Sequence, residues 1–144
     1  MSSNNKPYEA CVFAVREQLD QHLAGLDELV LIMGSRPLTF NERNSAERSI
    51  QVRVEIAIGC SKRLLKKLAK PVPSEARAAI ERMYELTSLT SADINEMRGA
   101  IGMRNAIIHD DLNLDWSRVE RELKRNGRNS VVSYVHLITE RLLG

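Results

Sequence analysis

Aromatic residues are scarce in this 144-residue sequence, which has one Trp, three Tyr and two Phe and is 4% aromatic overall. Its apolar content of 43% therefore comes mainly from Leu, Ile, Val and Ala, and aliphatic side chains at regular spacing favour packed helices. Charge of one sign is not in excess either, because 21 Lys and Arg face 19 Asp and Glu, for a net charge of +2. Composition alone thus does not identify a nucleic-acid-binding protein.

Cysteine and long apolar runs are also limited. Cys11 and Cys60 are far apart and form no CxxC pair, so we expect both to be buried, reduced thiols. No apolar run approaches the roughly 20 residues of a membrane helix, and residues 1–6 lack the apolar core of a signal peptide. We therefore expect a cytoplasmic protein that does not enter a membrane and has a flexible tail over residues 1–6.

Apolar residues recur at helical spacing along the chain, and no segment alternates with the period of a strand. The pattern predicts a long helix over residues 7–33 and a second from about residue 41 to residue 70, where Thr39 and Glu42 have the spacing of a capping box. Four shorter helices are expected to begin at Ser74, Ser91, Asp115 or Ser117, and Ser130. The sequence thus predicts a single all-α domain over residues 1–144, an up-and-down bundle of five to six helices.

Two glycines interrupt the predicted fourth helix. Gly99 and Gly102 each cost about 1 kcal/mol relative to Ala within a helix. Glycines that a helix retains at such a cost usually mark close packing against the backbone. We therefore expect a neighbouring helix to lie against Gly99 and Gly102.

Polar side chains of the types that enzymes use in catalysis are concentrated between Arg104 and Asp111, at the end of an apolar helical pattern. Burying such groups is costly unless they are paired or functional. Asn105 and His109 are four residues apart and share a helix face, whereas Arg104 and His109 are about 140° apart on an ideal helix. A long guanidinium, or unwinding of the helix near Asp110, would let Arg104 and His109 reach one phosphate.

The chemistry of this pair suits phosphate transfer. Histidine is a general acid or base near neutral pH, and arginine offers a fixed charge with several donors for a phosphorane. Together they suffice for metal-free cleavage of RNA, in which the 2′-hydroxyl is the internal nucleophile. The same residues are compatible with a plain helical scaffold in which Arg104 and His109 form surface or capping pairs.

A metal site is the competing interpretation of the same segment. His109-Asp110 looks like the dipeptide of HD phosphohydrolases, but His22 is the only histidine upstream of it. Asp110, Asp111 and Asp115 offer carboxylates, which are better explained as caps of the next helix. We expect no metal and no cofactor, and we expect His22 and also His136 to be structural or solvent-facing.

The motif Arg104-Asn105-x-x-x-His109 resembles the R-N-x-x-x-H signature of HEPN domains. It is most similar to that of HepT-like ribonuclease toxins, which are paired with MNT-type nucleotidyltransferase antitoxins. Residues 48–55 also resemble the second-helix stretch of that family, and residues 112–115 resemble the segment after its histidine.

This resemblance covers residues 39–126. It implies a homodimeric helical bundle in which two Arg–His pairs face a shared cleft and cleave RNA without a metal. Arg104 and His109 are then the catalytic pair, and Asn105 orients the histidine or holds the phosphate.

Basic residues outside the motif are candidates for RNA binding. Lys62 and Lys66 lie in the basic last turns of the second helix, where cations also complement the helix dipole. An alternative basic surface consists of Arg121, Lys124 and Arg125. Nothing in the motif chooses between these two surfaces.

Two positions depart from the family pattern. Asp111 stands where HepT-like toxins usually carry the tyrosine to which the antitoxin adds AMP, so that modification is impossible there; Asp111 remains a candidate substrate-binding residue. Neutralisation then needs simple binding or another hydroxyl, for which Tyr84 and Tyr134 are candidates by side-chain type alone. Gly59 stands where the family often carries an acidic residue, which implies altered substrate choice or a weakened site.

The leading hypothesis from the sequence is a metal-independent endoribonuclease toxin of the HEPN class. It would act as a homodimer and be restrained by an MNT-type nucleotidyltransferase antitoxin. The main alternative is a non-catalytic HEPN module that binds a nucleotidyltransferase partner or a nucleotide without cutting RNA.

Overall fold

The structure is a computed structural model that describes residues 6–90, 92–109, 113–125 and 128–144. These residues form α1 (Lys6–Met33), α2 (Phe40–Lys67), α3 (Ala76–Thr87), α4 (Ile94–His109), α5 (Trp116–Lys124) and α6 (Arg128–Leu143). The all-α prediction of five to six helices is confirmed. Lys6, which the sequence assigned to a flexible tail, instead begins α1; the rest of that tail lies outside the described residues.

The start of α2 is fixed by the predicted capping box. Thr39 Oγ1 accepts a hydrogen bond from the backbone N–H of Glu42 at 3.2 Å, and Glu42 Oε1 accepts one from the backbone N–H of Thr39 at 2.8 Å. Arg36 donates to both carboxylate oxygens of Glu42, at 2.8 and 2.9 Å. These hydrogen bonds, chiefly those from Arg36, lower the pKa of Glu42 to about 2. The turn between α1 and α2 is therefore closed by charge-assisted hydrogen bonds.

Two predicted helix starts are wrong. The N-cap of α3 is Glu75, which makes no side-chain capping hydrogen bond, whereas Ser74 uses its carbonyl oxygen to accept a hydrogen bond from Lys62. The last helix begins at Arg128, two residues before the predicted Ser130. Neither start is set by the serine that the local pattern favoured.

Carboxylates cap the N-termini of α4 and α5. Asp93 Oδ1 accepts from the backbone N–H groups of Asn95 and Glu96 at 2.7 and 3.2 Å, so Asp93 caps α4; the predicted cap, Ser91, lies outside the described residues. Asp115 Oδ1 accepts from the backbone N–H of Ser117 at 3.0 Å, which confirms Asp115 as the cap of α5.

Helix α2 is the centre of the bundle and contacts α1, α3, α4 and α6. Its residues 52–54 and 56–58 are all buried. Because successive residues of a helix point about 100° apart, such runs mean that α2 is covered around most of its circumference. The apolar core lies on several sides of this one helix rather than on a single face.

A smaller apolar cluster supports the second half of α4. Met103 and Ile107 of α4 pack there with Val119 and Leu123 of α5, and all four are buried. The cluster also receives Leu26 and Leu29 of α1. It holds the helical turns that carry the R-N-x-x-x-H motif against the rest of the bundle.

The expectation for the two glycines of α4 is wrong. Among the described residues, a Cβ built on Gly99 or on Gly102 would meet no atom within 4 Å. In the part of the chain that the structure describes, no helix therefore packs against these glycines. They lie on an open side of α4.

The prediction for the cysteines is half confirmed. Cys60 is buried and Cys11 is partly exposed, and both are free thiols. Burial raises the pKa of the Cys60 thiol to about 11. Within the described part of the chain, no helix combines the length and apolarity needed to cross a membrane.

A buried ion pair fastens α5 to α2. The Arg53 side chain is 1% exposed and donates from Nη2 to Glu122 Oε1 at 3.1 Å. A charge in such a place is tolerated only with a close partner of opposite sign. The pair therefore ties α5, and the small cluster beneath it, to the central helix.

We predict that Arg53→Met lowers the free energy of unfolding by about 3 kcal/mol, because it leaves the Glu122 carboxylate in a largely buried place without this cation. Urea denaturation measures the change. The matched control is Arg82→Met, which removes the exposed pair with Glu85 and should cost no more than about 1 kcal/mol. Equal losses in the two variants would show that the buried pair does not fasten α5.

Candidate active site

The apolar side of α4 decides where its polar residues lie. Met103, Ala106 and Ile107 are buried in the bundle. Arg104 and Asn105, which follow Met103, are partly exposed on the side of α4 that faces α2. The polar residues of the motif are thus placed by the helical period of their apolar neighbours.

Arg104 is held by contacts on both sides of its guanidinium. Its Nη1 donates to Asn105 Oδ1 at 2.9 Å, and its Nε lies 3.7 Å from Glu55 Oε1 on α2. Gln51, one turn before Glu55, donates to the same oxygen from Nε2 at 3.0 Å. A helix-spaced pair on α2 therefore positions the arginine of α4.

These contacts do not use all the donors of Arg104. The 3.7 Å separation from Glu55 is an ion-pair distance and is too long for a hydrogen bond. Within the described part of the chain, Arg104 Nε is buried and has no hydrogen-bond partner. The buried Nε–H is not accessible to a ligand, but Nη1 and Nη2 carry the other four of the five N–H donors of a guanidinium. The hydrogen bond to Asn105 uses one of these four, so Arg104 is held in place and retains terminal donors for an anion such as a phosphate.

A cavity of about 470 Å³ opens beside Arg104 and Asn105, and Lys62 of α2 lines it as well. Lys62 Nζ donates to the carbonyl oxygen of Ser74 at 3.1 Å, which holds its ammonium at this cavity. The structure thus brings together three residues that the sequence singled out separately: Arg104, Asn105 and Lys62.

Among the described residues, the other basic residues predicted to bind RNA do not line this cavity. Lys66 is exposed one turn further along α2 and lies outside the lining. Asp111 lies outside the described residues. The alternative basic surface on and after α5 is exposed but also lies outside the lining; it consists of Arg121, Lys124 and Arg125.

His109 is the last residue of α4 and is exposed. The described polar contacts of the Arg104 side chain are with Asn105 and Glu55. His109 is not among these partners. Within one chain, therefore, the structure does not join the Arg–His pair that the motif implies. The separation agrees with the angle of about 140° that five residues give on a helix.

The other two histidines are as expected. His22 Nδ1 shares a hydrogen bond of 2.9 Å with Ser49 Oγ, and burial, with help from the charge of Arg48, lowers the pKa of His22. His136 is exposed on α6. Residues 6–90, 92–109, 113–125 and 128–144 contain no cluster of three or more His, Cys, Asp or Glu that suits a metal ion.

The two tyrosines considered as modification sites are engaged in the core. Tyr134 is fully buried, its hydroxyl is 2.6 Å from Ser61 Oγ, and its ring stacks on Tyr84 at 5.8 Å between centroids. The Tyr84 hydroxyl donates to the carbonyl oxygen of Ala92 at 2.9 Å. Burial raises the pKa of Tyr84 to about 12 and raises that of Tyr134 as well. Both hydroxyls are therefore engaged in hydrogen bonds within the bundle.

Sequence reasoning noted the missing acid at Gly59 but overlooked Glu55. A Cβ at Gly59 would meet only Arg63 Nη1, at an ordinary 3.6 Å, among the described residues. The acidic group beside Arg104 comes instead from Glu55, one turn earlier on α2. The available signal was the spacing of Gln51 and Glu55 by four residues, within the stretch that resembles the family.

The fold and the site together define a class of protein: an all-helical bundle whose R-N-x-x-x-H motif ends one helix beside a cationic cavity. Comparison with protein-family models matches the family described as ribonuclease HepT-like over residues 19–131. The chain belongs to this HEPN-type family, which confirms the resemblance of its motif and supports ribonuclease-type activity in general. Comparison with curated proteins and with solved structures finds no match.

Proposed function

We propose that this protein is a metal-independent endoribonuclease and the toxin of a toxin–antitoxin pair. The observation that carries the proposal is the convergence of Arg104, Asn105 and Lys62 on one cavity, in a chain of the ribonuclease HepT-like family. Lys62 attracts the RNA backbone, and the unused terminal donors of Arg104 match the oxygens of the cleaved phosphate.

The proposed reaction needs no reagent other than RNA. The 2′-oxygen attacks the adjacent phosphorus, a new P–O2′ bond forms, and the P–O5′ bond breaks. His109 accepts the proton of the 2′-hydroxyl, a histidine returns a proton to the departing 5′-oxygen, and Arg104 stabilises the charge of the phosphorane. The products are a 2′,3′-cyclic phosphate and a 5′-hydroxyl, so atoms and charges balance.

A homodimer would complete this site. His109 does not reach Arg104 within one chain, and Ile108 beside it is 37% exposed. The side of α4 that carries Gly99 and Gly102 is open. A second copy placed on this side would bring another His109 to the cleft, so that one histidine accepts the proton and the other donates it.

The charge distribution supports RNA binding on this side of the bundle. Helix α1 has exposed carboxylates at Glu9, Glu17, Asp20 and Glu28, which repel phosphates. Lys62 and the exposed Lys66 of α2 would instead attract the RNA backbone near Arg104. Asp111 stays a proposed contact to the substrate from the segment that follows His109.

We predict that the purified protein cuts single-stranded RNA in the presence of EDTA. Arg104→Ala and His109→Ala should each lower the cleavage rate by about 100-fold or more, because one removes charge stabilisation and the other proton transfer. Gel analysis of labelled RNA measures the rate. Matched controls are Arg82→Ala and His136→Ala, which change partly or fully exposed residues outside the cavity and should leave the rate unchanged.

The same preparation should sediment as a dimer, and its expression should arrest growth in a manner relieved by His109→Ala. If the wild-type protein leaves RNA intact, the non-catalytic HEPN module is the better description. Cleavage that EDTA abolishes would contradict metal independence. A monomer that cleaves at the full rate would contradict the shared cleft.

We also propose that an MNT-type nucleotidyltransferase restrains this protein by binding alone. Asp111 stands where the family usually carries the acceptor tyrosine, and the hydroxyls of Tyr84 and Tyr134 are hydrogen-bonded to Ala92 and Ser61. A partner that covers the cavity beside Arg104, between α2 and α4, would block RNA binding without modifying any side chain.

The expected result with such a partner and ATP is loss of cleavage with no change in the intact mass of this chain, because Asp111 has no hydroxyl and those of Tyr84 and Tyr134 are already hydrogen-bonded. Mass spectrometry of the inhibited complex measures this. Tyr84→Phe should be inhibited as well as the wild type. An AMP adduct that appears together with inhibition would contradict restraint by binding alone.

A further inference from the structure

The cavity beside Arg104 has a second wall that lies outside the R-N-x-x-x-H motif. The end of the α2–α3 connection and the start of α3 form it, through residues 74–77. Ile58, which is 7% exposed, adds an apolar patch from α2. The volume of about 470 Å³ lies in the range of small-molecule sites, so the space exceeds what a single phosphate group needs.

Cations predominate in this lining, where Lys62, Arg77 and Arg104 face a single carboxylate, that of Glu75. The Arg77 side chain is 61% exposed, and its Nε lies 3.2 Å from Glu81 Oε1. An exposed ion pair of this kind is weak, so the guanidinium of Arg77 is free to turn toward a phosphate at little cost. Glu81 also binds Arg98 at 2.8 Å and would keep a partner.

We propose that this cavity is a subsite for the RNA nucleotide next to the cleaved bond. Arg77 and Lys62 bind the phosphate of that nucleotide, and its sugar or base contacts Ile58. This proposal rests on the proposed function, because it places the cleaved phosphate at Arg104. Arg104 lines the cavity and, in this proposal, also binds the cleaved phosphate. The next nucleotide of a continuous strand therefore enters the cavity.

The chain offers a matched control for Arg77. Arg77 and Arg82 both belong to α3, both have side chains more than 40% exposed, and each pairs with a glutamate three or four residues later. Only Arg77 of these two lines the cavity. Substituting either one removes the same charge from the same helix, so a difference between them reports on the cavity.

The experiment uses the full chain with His109→Ala, which prevents cleavage and leaves the cavity lining intact. Fluorescence anisotropy measures the binding of a short labelled single-stranded RNA over a range of salt concentrations. Adding Arg77→Ala should weaken binding by about tenfold, as expected for the loss of one charge-assisted contact. It should also reduce the slope of log Kd against log salt by about 0.7, the value for one phosphate contact on a single strand.

The control and a second variant complete the test. Arg82→Ala should leave affinity within about twofold and keep the salt slope, since Arg82 does not line the cavity and its charge is paired with Glu85. Lys62→Ala should act like Arg77→Ala. Thermal unfolding curves of the three variants should coincide, because each change removes an incompletely buried side chain.

Equal effects of Arg77→Ala and Arg82→Ala, or no effect of either, would overturn the subsite. The ribonuclease proposal would survive that result if the wild-type protein still cuts RNA. Conversely, a loss of affinity specific to Arg77→Ala in a protein that never cuts RNA would support the cavity as an RNA-binding site and reject the ribonuclease proposal.

Discussion

The enclosure of α2 by α1, α3, α4 and α6 is the constraint on which the rest of the structure depends. Apolar and small residues cover most of its circumference, and this burial is the main source of stability for a bundle with few aromatics. One strip of α2 stays polar, and Gln51, Glu55 and Lys62 lie on it at helical spacing. The same strip faces Arg104. The residues that hold Arg104 are therefore those that the core leaves uncovered.

The position of Arg104 depends in turn on packing behind it. Met103 and Ile107 are fixed in the small cluster with α5, and the buried pair of Arg53 and Glu122 fastens α5 to α2. The polar motif thus occupies the outer side of a helix whose inner side is held at several points. A charged side chain that is placed in this way loses little conformational entropy on binding phosphate.

Local interactions were predicted well from the sequence, and contacts between distant segments were not. The capping box at Thr39 and the cap at Asp115 involve neighbours within three residues, so their spacing is readable. Ser74 lies one residue before the observed N-cap, Glu75, and its carbonyl instead accepts a hydrogen bond from Lys62, twelve residues away. The motif drew attention to Arg104, yet the contact of Glu55 with it depends on how α2 and α4 pack, which no local pattern encodes. The same holds for Arg77 and the second wall of the cavity.

Attack by the 2′-hydroxyl is the central claim of the proposed mechanism, and one substrate tests it most directly. An RNA strand with a single 2′-deoxy nucleotide immediately 5′ of the cleaved bond should bind like the unmodified strand and resist cutting at that bond alone. Unmodified RNA should yield fragments that end in 2′,3′-cyclic phosphate and begin with a 5′-hydroxyl. Cleavage at the deoxy position at the normal rate, or fragments with a 5′-phosphate, would contradict the mechanism.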